Sequence, residues 1–155
     1  MLDYENDKGQ EFRQLDRNDL KNLAQVRVRE ARILLEAGEF AGAYYLSGYA
    51  IECGLKACIA KQTRKHEFPD RERVRNSYTH ELATLVRTAG RQSDLQAELE
   101  RDPGFEVNWG VVKDWSEAAR YRTFSELEAR NMYDAVTDRN HGVLRWIRHY
   151  WSVRT

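Results

Sequence analysis

The sequence predicts an all-α protein, an antiparallel up-and-down bundle of four main helices with one or two short extra helices. Three observations support this fold class. Apolar residues make up 41% and charged residues 32% of the chain, with only two prolines, which suits a charged-surfaced helical protein better than a turn-rich β protein. Apolar side chains recur at steps of three and four along most of the chain. No segment shows the clear alternation of apolar and polar residues that a half-buried strand requires.

One domain is expected, because 155 residues suffice for a single hydrophobic core but not comfortably for two. Residues 1–17 lack a periodic face, so we predict a flexible N-terminal segment there, followed by one helical domain over residues 18–155. The polar N-terminus and the absence of an apolar run of about 18 residues argue against a signal peptide and a membrane span. The sequence therefore predicts a cytoplasmic protein.

The first two helices are marked by their ends and by small residues. Asn18 or Asp19 is a good N-cap for a helix that stops at Gly38. The second helix, over residues 40–60, is apolar around most of its surface, which is typical of the central helix of a bundle. Small residues form a stripe along it that would let another helix approach closely. The stripe consists of Ala43, Ser47, Ala50, Gly54 and Ala57.

The middle of the chain is predicted to contain a long loop and two shorter helices. Residues 61–78 contain Pro69 and have no periodic face, so we predict a loop, and loops of that length are often functional. A helix is expected to start near Thr79. A second short helix is expected over residues 93–100 and is predicted to be ended by Pro103 and the glycine after it.

The sequence signals are strongest for the last helix of the chain. A helical face is expected from Val111 to Ala119. Thr123 with Glu126 forms a T-x-x-E capping box, and apolar residues then recur at steps of three and four with a break only near Asn140. We therefore predict a final helix of more than about 25 residues, with Gly142 as either a kink or a position of close contact.

Cysteines and histidines give no sign of a disulfide, a metal or a cofactor. Cys53 and Cys58 lie five apart in a helical pattern and diverge by about 140° around the axis, so we expect reduced, buried thiols. His141 and His149 are eight apart on the predicted last helix and share a face, but no acid or cysteine pattern accompanies them. A metal site is therefore not expected.

Charge is balanced overall but unevenly distributed. Residues 61–91 carry eight lysines and arginines against four acids, and residues 139–155 carry four arginines and no acid. Such asymmetry can create a basic face that attracts nucleic acid. The alternative is an ordinary solvated surface, which charged runs commonly form.

Three stretches together resemble the HEPN superfamily of small helical bundles. They are A-Y-Y-L-S-G-Y-A-I-E-C-G-L-K-A at 43–57, T-H-E-L at 79–82 and W-S-E-A-A-R-Y at 115–121, followed by the closing helix. The resemblance covers about residues 19–151. It implies an up-and-down bundle that commonly forms homodimers.

The resemblance also implies two kinds of function. Some members of the superfamily are metal-independent endoribonucleases that act as toxins or in antiviral defence. Others accompany a small nucleotidyltransferase and bind nucleotides. For this chain the resemblance implies RNA or a nucleotide as the ligand, no cofactor, and either a ribonuclease or a non-catalytic interaction module whose partner is a nucleotidyltransferase antitoxin.

The ribonuclease branch places a histidine after an arginine with four to six residues between them, close to the final helix. Here Arg130 and Asn131 lie in the predicted final helix, but no histidine follows at that spacing. Only Arg75 and His80 match it. Metal-independent RNA cleavage needs an acid or base and a cation on the phosphate, so these two are the candidate catalytic residues.

Arg75 and His80 can converge if Arg75 lies in the loop and His80 on the first helical turn, where free backbone N–H groups favour an anion. The alternative is a structural His80 that caps its helix or bonds to another one.

The candidate RNA- or nucleotide-binding residues are Arg120 with Tyr121, and Glu52 with Lys56. A tyrosine ring can stack on a base while an arginine holds the phosphate. The alternative places Tyr121 packed at the end of the bundle and Arg120 paired with an acid such as Glu52. Glu52 and Lys56 stand at i and i+4, which predicts an ion pair, and a carboxylate on so apolar a helix needs a further partner from elsewhere.

Overall fold

A computed structural model describes residues 15–62, 75–76 and 78–152. These ranges contain helices and no strand, which confirms the all-α part of the predicted fold class. In chain order the helices are α1 (Arg17–Glu36), α2 (Phe40–Gln62), α3 (Leu82–Thr88), α4 (Gln92–Arg101), α5 (Pro103–Val112), a 3-10 helix (Glu117–Tyr121), α6 (Glu126–Thr137) and α7 (Val143–Ser152). Over the ranges given above, no helix combines the length and apolar character needed to cross a membrane.

Two sequence predictions fall largely outside these ranges. Residues 1–14 make up most of the predicted flexible segment, and residues 63–74 and 77 make up most of the predicted loop; none of them belongs to the described part of the chain.

Helices α1 and α2 form a hairpin through a three-residue turn. The N-cap of α1 is Asp16, whose side chain accepts from the backbone N–H of Asp19 at 2.8 Å, while Asp19 accepts from that of Asp16 at 3.1 Å. This reciprocal capping box places the cap earlier than the predicted Asn18 or Asp19. Gly38 ends the helix as predicted, with a φ of 81° that a residue without a side chain adopts readily.

Helix α2 contacts α1, α3, the 3-10 helix, α6 and α7, so it lies at the centre of the fold as predicted. The predicted stripe of small residues is buried throughout. At Gly54 an added Cβ would lie 3.1 Å from Ile147 of α7. Six residues earlier, a Cβ on Gly48 would lie only 2.1 Å from the indole of Trp115. The small residues therefore permit the close approaches that position α7 and the 3-10 segment.

The start of α3 differs from its prediction. The helix begins at Leu82 with Glu81 as N-cap, rather than near Thr79. The Thr79 hydroxyl accepts a hydrogen bond from the backbone N–H of Glu81 at 3.2 Å, which forms a turn instead of a helical start. His80 therefore precedes the helix. The prediction that it lies on the first helical turn is wrong.

Pro103 begins a helix rather than ending helical structure. Helix α4 ends at Arg101, close to the predicted residue 100, but Pro103 is the first residue of α5. The Asp102 side chain caps α5 by accepting from the Gly104 N–H at 3.0 Å, and a proline at the first helical position needs no donor. Because α5 stops at Val112, the predicted helical face from residue 111 to 119 is interrupted by a turn.

The predicted long closing helix is divided into α6 and α7. Its cap is Ser125 with Glu128, not Thr123 with Glu126. Between the helices, the Asp138 carboxylate accepts two backbone N–H groups, from residues 140 and 141 at 3.0 and 2.7 Å. A Cβ on Gly142 would lie 2.4 Å from the Asp138 carbonyl oxygen, so the turn requires a glycine. The predicted break near residue 140 is therefore a full interruption and not a kink.

Candidate functional site

Five ionisable side chains meet where α2, the segment before α3 and the 3-10 helix come together. We call them the polar cluster; they are Glu52, Lys56, His80, Glu117 and Arg120. The three segments are distant in sequence and are joined here mainly by contacts between side chains. The cluster is thus a product of the tertiary fold.

Glu52 is the most deeply buried member of the polar cluster. Its side chain is 3% exposed, and its two oxygens face different partners: Oε1 lies 2.6 Å from His80 Nδ1 and Oε2 lies 3.6 Å from Lys56 Nζ. A buried carboxylate is costly unless it is paired and hydrogen-bonded. The predicted i,i+4 pair with Lys56 is confirmed, and the partner expected from elsewhere in the chain is His80.

His80 is held between two acids. Its Nδ1 faces Glu52, while its Nε2 lies 3.1 Å from Glu117 Oε2, and its side chain remains 42% exposed. An imidazolium can donate from both nitrogens, whereas a neutral imidazole donates from only one. The ring is therefore fixed with Nδ1 directed inward and Nε2 directed toward the surface.

Arg120 completes the outer side of the polar cluster. Its Nη2 lies 2.8 Å from Glu117 Oε1, so the two oxygens of Glu117 connect Arg120 and His80. The alternative that pairs Arg120 with an acid is confirmed, but the acid is Glu117 and not Glu52. Sequence reasoning missed Glu117, although its i,i+3 spacing to Arg120 was a usable signal.

Tyr121 is exposed beside Arg120. Its side chain is not packed at the end of the fold, because the residue is 79% exposed. The guanidinium of Arg120 lies 4.9 Å from the Tyr121 ring centroid, a cation–π distance. The alternative of a packed tyrosine is therefore wrong, and an accessible ring lies next to a cation as base stacking requires.

Arg75 stands apart from the polar cluster. It is exposed, and within the described ranges no hydrogen bond or salt bridge joins it to His80 or to another member of the cluster. Its carbonyl accepts from the backbone N–H of Tyr78 at 3.3 Å. The structure thus brings together four of the six predicted site residues, with Tyr121 adjacent, while the pairing of Arg75 with His80 stays a prediction.

Aromatic side chains lie close to the polar cluster. Tyr45 stacks on Tyr49 with a centroid separation of 5.9 Å and contacts Trp115 at 5.8 Å. Burial, reinforced by the charges of Cys53 and Glu52, raises the pKa of Tyr49 to about 12. The Tyr49 hydroxyl is therefore neutral at physiological pH and does not add charge near Glu52.

A second histidine–carboxylate pair lies elsewhere. His141 Nδ1 is 2.8 Å from Asp102 Oδ2, and the hydrogen bond from His141 is the main reason that the pKa of Asp102 lies below its usual value. The His141 backbone carbonyl accepts from Asn108 at 2.9 Å. This pair fastens the junction of α4 and α5 to the turn before α7.

The prediction that His141 and His149 share a helix face is wrong, because His141 precedes α7 and only His149 lies on it. In the part of the chain that the structure describes, no group of three or more His, Cys, Asp or Glu side chains could hold a metal ion. The thiols of Cys53 and Cys58 are buried, as predicted, and no disulfide joins the two.

Comparison with known proteins gives no family assignment. The chain matches none of the family models, and no significant match was found among curated proteins or solved structures. The HEPN resemblance therefore stays a prediction from the three sequence stretches. What the structure adds is the geometry of His80, Arg120 and Tyr121, which are contributed by two of those stretches.

Proposed function

We propose that the protein binds RNA or a nucleotide at the outer side of the polar cluster. The observation that carries the proposal is the fixed imidazole: buried Glu52 holds Nδ1 of His80, so that Nε2 points toward the surface beside Arg120. A guanidinium group binds phosphate through charge-assisted hydrogen bonds, and an imidazole can give or take a proton near neutral pH. An anion between them would be contacted from two sides.

Each neighbouring residue has a defined role in this proposal. Arg120 grips the phosphate, and the exposed ring of Tyr121 stacks on the base. Glu52 positions His80, and Lys56 offsets the charge of Glu52 from the other side. Both residues act on the ligand through His80.

The catalytic form of the proposal is a HEPN-like, metal-independent endoribonuclease of a toxin or defence system, working as a homodimer. His80 would exchange a proton at Nε2, as the base for the ribose 2′-hydroxyl or the acid for the leaving oxygen, and the product would carry a 2′,3′-cyclic phosphate. Arg75 or Arg120 would stabilise the charge that develops on the phosphate. A carboxylate behind a histidine fixes its tautomer and orientation, which is what this role needs from Glu52.

The second candidate function is a non-catalytic interaction module whose partner is a nucleotidyltransferase antitoxin. One observation favours it: both nitrogens of His80 already contact carboxylates, so the resting arrangement leaves no nitrogen open to accept a proton. In that case the polar cluster mainly fastens the segment before α3 and the 3-10 helix to α2.

Binding and cleavage assays separate the two candidates. The probe is a labelled oligoribonucleotide in EDTA, and the variants are His80→Ala, Arg120→Ala and Arg75→Ala. His141→Ala is the matched control, since it removes another half-exposed histidine that contacts an acid. We expect Arg120→Ala to weaken binding about tenfold or more, equivalent to about 1.4 kcal/mol, and His141→Ala to leave it unchanged.

Cleavage lost in His80→Ala and retained in His141→Ala supports the enzyme. Binding without cleavage in every protein supports the module. Binding that is unchanged by both His80→Ala and Arg120→Ala would contradict the proposed site.

A further inference from the structure

We propose that the Glu117 carboxylate occupies the position of the ligand phosphate in the free protein, so that a ligand must displace it. This inference rests on the binding form of the proposed function, in which the ligand is a nucleotide or an RNA end, and not on its endoribonuclease form; it names the ligand class more closely. The Glu117 carboxylate already places one negative charge at this position. The site therefore favours a terminal phosphate monoester, which carries more charge, over an internal phosphodiester.

The geometry of Glu117 is that of a bound anion. One oxygen lies 2.8 Å from Arg120 Nη2 and the other lies 3.1 Å from His80 Nε2. Two oxygens of a phosphate make the same kind of contact with a guanidinium and an imidazolium. Glu117 therefore imitates the group that Arg120 and His80 are proposed to bind.

Glu117 is also placed so that it can leave. Its side chain is 35% exposed, and it is the first residue of a five-residue 3-10 helix whose N-cap, Ser116, makes no side-chain capping bond. A carboxylate at the surface is readily hydrated once it loses its partners, and exposed ion pairs contribute little to stability. By contrast Glu52, at 3% exposure, cannot reach water without opening the fold.

Charge decides which phosphate can displace it. A phosphodiester carries one negative charge, so its exchange for the Glu117 carboxylate leaves the charge at the site unchanged. A terminal monoester carries about −1.5 to −2 at neutral pH and interacts more strongly with the Arg120 guanidinium. The exchange is therefore favourable for a monoester and close to neutral for a diester.

The test compares two tetraribonucleotides of the same sequence, one with a 5′-phosphate and one with a 5′-hydroxyl. Dissociation constants are measured for the wild type, Glu117→Gln and Glu126→Gln. Glu126 is the matched control, because it is an acid that pairs with an arginine, Arg130 at 3.0 Å, but lies outside the polar cluster. Both variants change the net charge by the same amount.

We expect the wild type to prefer the phosphorylated oligonucleotide and Arg120→Ala to lose that preference. Glu117→Gln should bind both oligonucleotides about two- to fivefold more tightly than the wild type, the size expected from removing a competing ion pair. Glu126→Gln should match the wild type.

Four results count against the inference. If the wild type binds in an Arg120-dependent manner but Glu117→Gln binds no more tightly, Glu117 is not a competitor, and the proposed function stands without this addition. An equal gain in Glu126→Gln would assign the effect to net charge alone. Equal wild-type affinity for the two oligonucleotides would remove the monoester preference. If no protein binds either oligonucleotide, the proposed function fails together with the inference.

Discussion

In two histidines of the described part of the molecule, Nδ1 contacts a carboxylate at a similar distance, and the two contacts differ in what else the carboxylate does. Asp102, 2.8 Å from His141, also caps α5 through the Gly104 N–H. Glu52, 2.6 Å from His80, is the more deeply buried of the two acids, and its partners in the described ranges are the side chains of His80 and Lys56.

The difference shows how a structural contact can be told from a candidate site. The pair of Asp102 and His141 is explained by folding, because the aspartate satisfies a helix end that otherwise lacks a partner. The pair of Glu52 and His80 satisfies no helix end, yet it buries a charge and directs a histidine nitrogen toward the surface. A buried charge that caps no helix is typical of a binding site, because residues at such sites give up stability for function.

The largest effect is expected from two glycines, one beside each pair. Gly48→Ala should lower the free energy of unfolding by about 3 kcal/mol, because the new Cβ meets the buried indole of Trp115 at 2.1 Å. Gly104→Ala should lower it by less than about 1 kcal/mol, because the ring it meets, His141 at 2.7 Å, is 48% exposed and can move. Urea denaturation measures both. Equal losses would show that the two surroundings are equally rigid.

The next effect concerns the two acids themselves. Glu52→Met should leave the free energy of unfolding unchanged or raise it, because an apolar side chain of similar volume removes a buried charge and leaves His80 and Lys56 able to reach water. Asp102→Ala should lower it, because α5 loses its cap. Glu52→Met should nevertheless weaken oligonucleotide binding, because His80 loses the contact that positions its ring. If Glu52→Met destabilises the protein more than Asp102→Ala does, the polar cluster is architectural.

A smaller effect should appear in acid. The hydrogen bond from His141 and those from backbone N–H groups place the pKa of folded Asp102 below its ordinary value of 3.8. Asp102 therefore stabilises the fold above that value, and this contribution is lost as the pH falls through the folded pKa. Asp102→Asn should make the decline of the melting temperature below about pH 4 less steep. The same slope in the wild type and in Asp102→Asn would show that this carboxylate contributes nothing to acid unfolding.

The smallest effect is a near-absence of reaction at Cys53, next to Glu52. Burial, with a smaller contribution from the Glu52 charge, raises the pKa of this thiol to about 11. In a Cys58→Ala background, Cys53 should react with a disulfide reagent at about pH 8 many times more slowly in the native protein than in denaturant, because the thiolate is the reactive form. Rapid native labelling would indicate that the helix around Glu52 opens readily.

The sequence predicts local features of this fold well. The hairpin of α1 and α2, its stripe of small residues and the end at Gly38 follow from periodicity and backbone preference, which act over a few residues. Capping was harder, because Asp16 and Ser125 compete with equally suitable neighbours in Asn18 and Thr123. Pro103 was misjudged because a proline that follows one helix can also begin the next.

The candidate site could be predicted only in part, because its contacts join distant segments. The sequence indicates that Glu52 needs a second partner, since a charge on an apolar helix must be paired. It does not indicate that the partner is His80, twenty-eight residues away, or that Glu117 links His80 to Arg120. The sequence also does not indicate whether Tyr121 is buried or exposed, because a tyrosine has an apolar ring and a polar hydroxyl and occurs in both environments.

Trp115 gives the protein an optical reporter of its own. Its indole is buried against Gly48, two residues before Glu117 along the chain. A ligand that displaces Glu117 should shift the peptide segment that carries this indole. The emission wavelength of tryptophan depends on the polarity around the ring. Occupancy of the cluster should therefore be visible in unlabelled protein as a change in fluorescence spectrum that disappears in Trp115→Phe.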